Sequence, residues 1–152
     1  LLQEIISILI TVGISLGFTL FDLWRFPIYR NDPNIFWKYR IPQQTLLQVV
    51  LYVLAWWYGW NTALACFIFW WFGGCDCWFY FLGDSWLKRE YNFWATENFA
   101  WMDWTPVGIF QYISKWEFSR DKIRINAITI WSQYVIGCWL AFACCFLKLL
   151  IP

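Results

Sequence analysis

The chain contains no histidine. That absence removes haem ligation through imidazole, the usual histidine-containing zinc sites and imidazole acid–base catalysis, so any chemistry would fall to carboxylates, thiols, tyrosine or lysine. Charge is scarce as well. Asp, Glu, Lys and Arg make up 14% of the 152 residues, against about 25% in an ordinary soluble domain whose surface must be solvated. The charge present is confined: none of these four residue types lies between Arg40 and Asp76, or between Arg124 and Lys148. A net charge of +1 supplies no broad positive field for nucleic acid. There is no P-loop, dinucleotide-binding glycine turn, nucleophile elbow or HExxH run, so no cofactor, metal or reaction is named by a motif.

What is abundant is apolar and aromatic surface. Hydrophobic residues make up 61% of the chain and mean hydropathy is +0.47. The 15 Trp, 15 Phe and 8 Tyr residues suit the bilayer interface, where the ring meets acyl chains and the polar edge meets headgroups. The lipid bilayer is the environment that accepts such a chain. The expected fold class is all-α: an integral membrane helical bundle in one transmembrane domain, with about four transmembrane helices plus interfacial helical segments.

Hydropathy places the helices. Residues 5–24 are a run of about the 20 residues needed to cross a hydrocarbon core, read as a retained helix and not a cleaved signal. Residues 25–42 follow with four basic residues, three prolines and the turn signal Asn31-Asp32-Pro33, and read as an interfacial loop. Gln43 to Gly83 is almost continuously apolar. As one helix it would measure roughly 60 Å, twice the hydrocarbon thickness, so it should double back. Tyr58-Gly59-Trp60-Asn61 offers the better turn and Phe72-Gly73-Gly74 the rival. With the turn at Gly59, helices fall at about 44–58 and 62–82, and the two basic regions share one side, the cytoplasmic or equivalent one. Residues 84–124 form an interfacial region of alternating polar and aromatic residues, and the last crossing lies at about 125–150.

Carboxylates in apolar surroundings are the candidate chemistry, because an ionised Asp at mid-bilayer costs about 2.5–3.5 kcal/mol on insertion scales. Asp22 sits three residues before Arg25 and suggests an ion pair on one helix face. Asp76, in Gly73-Gly74-Cys75-Asp76-Cys77, has apolar flanks and no basic neighbour in sequence. Asp84 stands at a helix end and suits capping. Glu97, Asp103 and Trp104 belong to the polar region and, folded back on Asp76, would line a ligand-binding pocket for a hard or organic cation or a lipophilic molecule. Cys75 and Cys77 form a CxC pair that diverges on a helix, and Cys138, Cys144 and Cys145 read as small packing residues. Two functions follow. In the leading one the chain is a non-catalytic small subunit or accessory protein, packing against other membrane chains or associating with itself. The alternative is a small membrane enzyme or carrier using Asp76, Asp84, Glu97, Asp103 and Trp104.

Overall fold

The computed structural model describes residues 1–29, 33–88, 92–95, 105–110 and 126–147. Every regular element among them is helical. Helix α1 spans Leu2–Tyr29 and α2 spans Pro33–Tyr58. Where the sequence reads as a loop over residues 25–42, helix occupies all but 30–32, which lie outside the described residues. The reason is local: proline is tolerated in the first turn of a helix, where its missing N–H has no partner to lose, and Pro33 opens α2. Pro42 does sit inside α2, where it deprives the carbonyl one turn earlier of its amide donor.

Gly59, at φ 97° and ψ 158°, separates α2 from α3, Trp60–Trp71. That backbone region is almost closed to residues with a Cβ. A second break follows at Gly73, which is left-handed at φ 80° and ψ 20°, and α4 runs from Gly74 to Phe81. The π-helical turn Leu82–Trp86 continues α4. The two stretches Trp60–Trp71 and Gly74–Trp86 are bent by 57° at the break. A 3-10 turn at Phe93–Ala95 and a helical stretch at 106–110 precede α5, Ala127–Cys145. Asn126 caps α5 by accepting from the Thr129 amide at 3.0 Å, while the Thr129 hydroxyl takes the Asn126 amide at 3.0 Å. This reciprocal pair satisfies a helix start that the sequence alone leaves open.

Side-chain contacts fix the direction of each helix. Ser7 meets Thr62, Thr11 meets Cys66 and Thr19 meets Cys75, so α1 runs parallel to α3 and α4. Leu47, Leu51 and Leu54 of α2 pack on Ala63 and Cys66, so α2 runs back alongside α3. On α5, Gln133 reaches Phe72 and Cys145 reaches Asn61, so α5 is antiparallel to α3. The helices therefore alternate in direction. One end of the bundle gathers Ser7, Gly59 to Thr62 and Cys145; the other gathers Asp22, Gln43, Asp76 and Ala127.

Among the described residues, two helices are long and apolar enough to cross a membrane, Leu2–Arg25 in α1 and Ala127–Cys145, and the bent α3–α4 pair makes a third when counted as one span. This is an integral membrane protein by that measure, with two or three candidate spans. The outer surface carries large apolar side chains, including Trp24, Trp56, Trp57, Trp60, Trp86, Trp94 and Trp139, as expected where the solvent is lipid and not water. Inside, Phe69 contacts Trp78 and Tyr134 edge-on at 6.1 and 5.8 Å; nearer the surface, half-buried Trp131 meets Tyr134 and the exposed Phe81 and Trp94 at tilted or edge-on angles.

Candidate functional site

Polar side chains of α1 are spaced to fall on one face. Ser7, Thr11, Ser15 and Thr19 recur every four residues and all four are buried, as the i, i+4 geometry of a helix dictates. The Ser7 and Thr62 hydroxyls share a hydrogen bond at 2.8 Å. The Thr11 hydroxyl donates to the Ser7 carbonyl at 2.8 Å and accepts from the Cys66 thiol at 3.5 Å. The Thr19 hydroxyl donates to the carbonyls of Ser15 at 2.8 Å and Cys75 at 3.2 Å, and the Cys75 thiol returns a bond to the Ser15 carbonyl at 3.8 Å. This seam joins α1 to α3 and α4 through hydrogen bonds, which lipid does not compete for.

The seam leads to Asp22, one turn beyond Thr19. Its Oδ1 accepts from the Tyr39 hydroxyl and, at 2.6 Å, from Gln43 Nε2. The guanidinium of Arg25 lies over the Trp24 ring, 4.2 Å from its centroid. Sequence spacing suggested Arg25 for Asp22; the donors just named come from α2, a helix that spacing along α1 says nothing about.

Asp76 is 8% exposed and sits in the first turn of α4, where a carboxylate is favoured by the positive end of the helix. It reaches a narrow cleft shared with Asp22, Gln43, Leu47, Trp70 and Cys75. The three polar residues arrive from three helices because α1, α2 and the α3–α4 break meet at this level. The cleft has room for about one water molecule. Gly74 makes the break compact: a methyl there would overlap the ring and carbonyl oxygen of Phe69.

Asp84 is used elsewhere. In the π-helical turn its Oδ2 accepts from the Phe93 amide at 3.2 Å, tying the 3-10 turn to the end of α4. Glu97, Asp103 and Trp104 lie outside the described residues, so the structure gives no position for them beside Asp76. No group of three His, Cys, Asp or Glu side chains arranged for a metal occurs among the described residues, and all six cysteines are free thiols.

Two amides have defined roles: Gln133, which sequence reasoning passed over, and Asn61, which it read as a turn residue. Gln133 is 3% exposed; its Oε1 accepts from the Val107 amide at 2.7 Å and its Nε2 donates to the Phe72 carbonyl at 3.1 Å. It thereby fastens the helical stretch at 106–110 and the bend after α3 to α5. Asn61, at the start of α3, donates from Nδ2 to the Cys145 carbonyl at 3.4 Å. A lone amide in an apolar helix was the available signal, since such a group must find partners in lipid.

Comparison with known protein families, curated proteins and solved structures finds no match to this chain.

Proposed function

We propose that the chain is a four-crossing membrane protein whose role is non-catalytic: a small accessory subunit that packs its apolar, aromatic exterior against other membrane chains. The observation that carries this reading is the inward use of its polar groups. Asp22 is held by Tyr39 and Gln43, the α1 hydroxyls are spent on α3 and α4, and the cleft between Asp22 and Asp76 admits about one water. A ligand pocket typically needs about 300–1,000 Å³. The outward face of α1, by contrast, carries Leu9, Val12, Leu20 and Trp24 around Gly13 and Gly17. Among the described residues nothing lies within 4 Å of where a Cβ would stand on either glycine, and small residues four apart allow close helix approach in lipid.

The fourth crossing is α2. Gln43, sixteen residues before Gly59, reaches the same cleft as Cys75 and Asp76, sixteen and seventeen residues after it. Whatever depth α3 and α4 traverse, α2 traverses beside them. Both basic regions then lie on one side, which the positive-inside rule assigns to the cytoplasm.

The test is gentle extraction of the chain followed by mass measurement and cross-linking. The expected result is a complex with a second membrane polypeptide that survives Asp76→Asn and is lost in Gly13→Leu/Gly17→Leu. A chain that stays alone before and after both changes overturns the proposal. The second reading, an enzyme or carrier for a lipophilic or cationic ligand at Asp76, Asp84, Glu97, Asp103 and Trp104, is favoured by one feature: a buried carboxylate at a bent helix break, the geometry transporters use for binding. It predicts saturable binding of an organic cation that Asp76→Asn abolishes.

A further inference from the structure

Between α2 and α3, with Leu147 beside them, a groove of about 460 Å³ opens to the exterior. Its described lining includes Leu51, Tyr52, Trp60, Asn61, Leu64 and Phe67. The volume is within the range of ligand sites, and the lining is apolar apart from Gln48 and Asn61 and the hydroxyl of Tyr52. At the hairpin end the lining changes character. Asn61 is nine-tenths buried, and its Oδ1 takes no hydrogen bond. A buried amide oxygen without a donor is costly in lipid, and the residue that carries this one lines the groove beside the exposed faces of Tyr52 and Trp60. No lysine or arginine is among the described lining residues.

We propose that this groove binds a membrane phospholipid whose headgroup ends in a primary ammonium, with the ammonium N–H donating to Asn61 Oδ1 and an acyl chain lying along α2 and α3. Three features specify the class. The orphaned acceptor requires a donor, which phosphate and the quaternary choline group lack. The aromatic faces of Trp60 and Tyr52 attract a cation. The apolar trough from Leu64 to Phe67 and Leu51 takes a hydrocarbon chain in preference to a polar solute. Turning Oδ1 toward the groove costs little, because the Asn61 bond to the Cys145 carbonyl is 3.4 Å long, beyond the usual reach of a strong N–H···O bond. The inference concerns a different part of the fold from Asp76 and is independent of whether the chain is a subunit.

The test compares lipids that differ only in donor count. The full chain, delipidated in a mild detergent, is titrated with dioleoyl phosphatidylethanolamine, its N-methyl and N,N-dimethyl derivatives, and dioleoyl phosphatidylcholine, with bound lipid counted by native mass spectrometry. Phosphatidylethanolamine is expected to bind about ten- to a hundredfold more tightly than phosphatidylcholine, as a charge-assisted hydrogen bond would give. The preference should fall as methyl groups replace N–H. In Asn61→Ala, which removes the Oδ1 acceptor together with the long Nδ2 bond to the Cys145 carbonyl, the two lipids should bind equally; Asn61→Asp, which lacks that bond as well but keeps the acceptor, should restore the preference. Leu64→Trp, which fills the trough, should weaken both. Equal binding of the two lipids by the unaltered chain overturns the proposal, as does a preference that survives Asn61→Ala. Tighter binding of dioleoylglycerol, a hydroxyl donor without a cation, overturns it too.

Discussion

Asp22 shows how spacing along one helix leaves a side chain's partners on other helices unnamed. Three residues separate it from Arg25, close enough for an ion pair on one helix face, yet its carboxylate accepts from Tyr39 and Gln43 on α2 while Arg25 covers the Trp24 ring. Both donors lean on one oxygen, so their contributions are coupled. Tyr39→Phe and Gln43→Leu should each lower stability by about 1.5–3 kcal/mol, the range for bonds to a charged group, and the double variant should lose less than the sum. Denaturant unfolding of the four chains of that cycle in detergent measures this, and strict additivity would refute shared use of Asp22. Gln133 makes a sharper case. Gln133→Leu leaves the Val107 amide and Phe72 carbonyl without their partner, at about 1–3 kcal/mol for each buried group. Thermal melts should drop accordingly, with faster hydrogen exchange at Val107; an unchanged exchange rate would mean that the amide is not protected by this bond. The sequence marks Gln133 as a polar group in an apolar helix, but its partners lie 26 and 61 positions away, and no local pattern encodes them.

At the scale of elements, two glycines divide the long apolar stretch, and they do different things. Gly59 turns the chain back so that α2 packs along α3; Gly73 bends it by 57° and the chain carries on in α4. Gly59→Ala forces a side chain into φ 97°, ψ 158°, a region costing about 1–3 kcal/mol. By contrast, Gly13→Ala and Gly17→Ala add a methyl where the described residues leave open space. The first should lower the melting temperature of the purified chain, while the other two hold or raise it because alanine favours helix over glycine by about 1 kcal/mol. A Gly59→Ala chain that melts like the parent would remove Gly59 as the constrained point. Helical class and membrane-length apolar runs were legible in the sequence because they follow from composition and hydropathy. The continuation of α1 to Tyr29 and the start of α2 at Pro33 were not, because proline and charge read as loop although a first-turn proline is compatible with helix. The hydroxyl ladder of α1 was visible as a four-residue repeat, yet its meaning depends on which helix lies opposite.

For the whole molecule, the deciding element is α2. Its 26 residues reach about 39 Å as a helix, enough for a hydrocarbon core of about 30 Å, but Gln43, Gln44, Gln48 and the basic residues at its start keep it from standing out as a span. Its packing argues more strongly than its composition. Leu47, Leu51 and Leu54 face Ala63 and Cys66, and Gln43 meets the cleft of Asp76, so α2 runs alongside α3 and α4 over that length. If α2 crosses, Lys38 and Lys88 are separated by two crossings and lie on one side, with the Gly59 hairpin on the other. If α2 instead lies on the surface, one crossing separates the two lysines and they face opposite compartments. Single cysteines placed at Lys38, Trp60 and Lys88, in a background whose native cysteines are replaced by serine or alanine, distinguish these cases when an impermeant maleimide is applied to sealed, oriented vesicles. Lys38→Cys and Lys88→Cys should label together and Trp60→Cys, beside the Gly59 turn, from the opposite face. The Trp60→Cys labelling repeated with Lys38→Glu and Lys88→Glu added should loosen that orientation, because two of the positive charges that bias it would be reversed. Labelling of Lys38→Cys and Lys88→Cys from opposite faces would end the four-crossing arrangement, and with it the proposed cytoplasmic side for both basic regions.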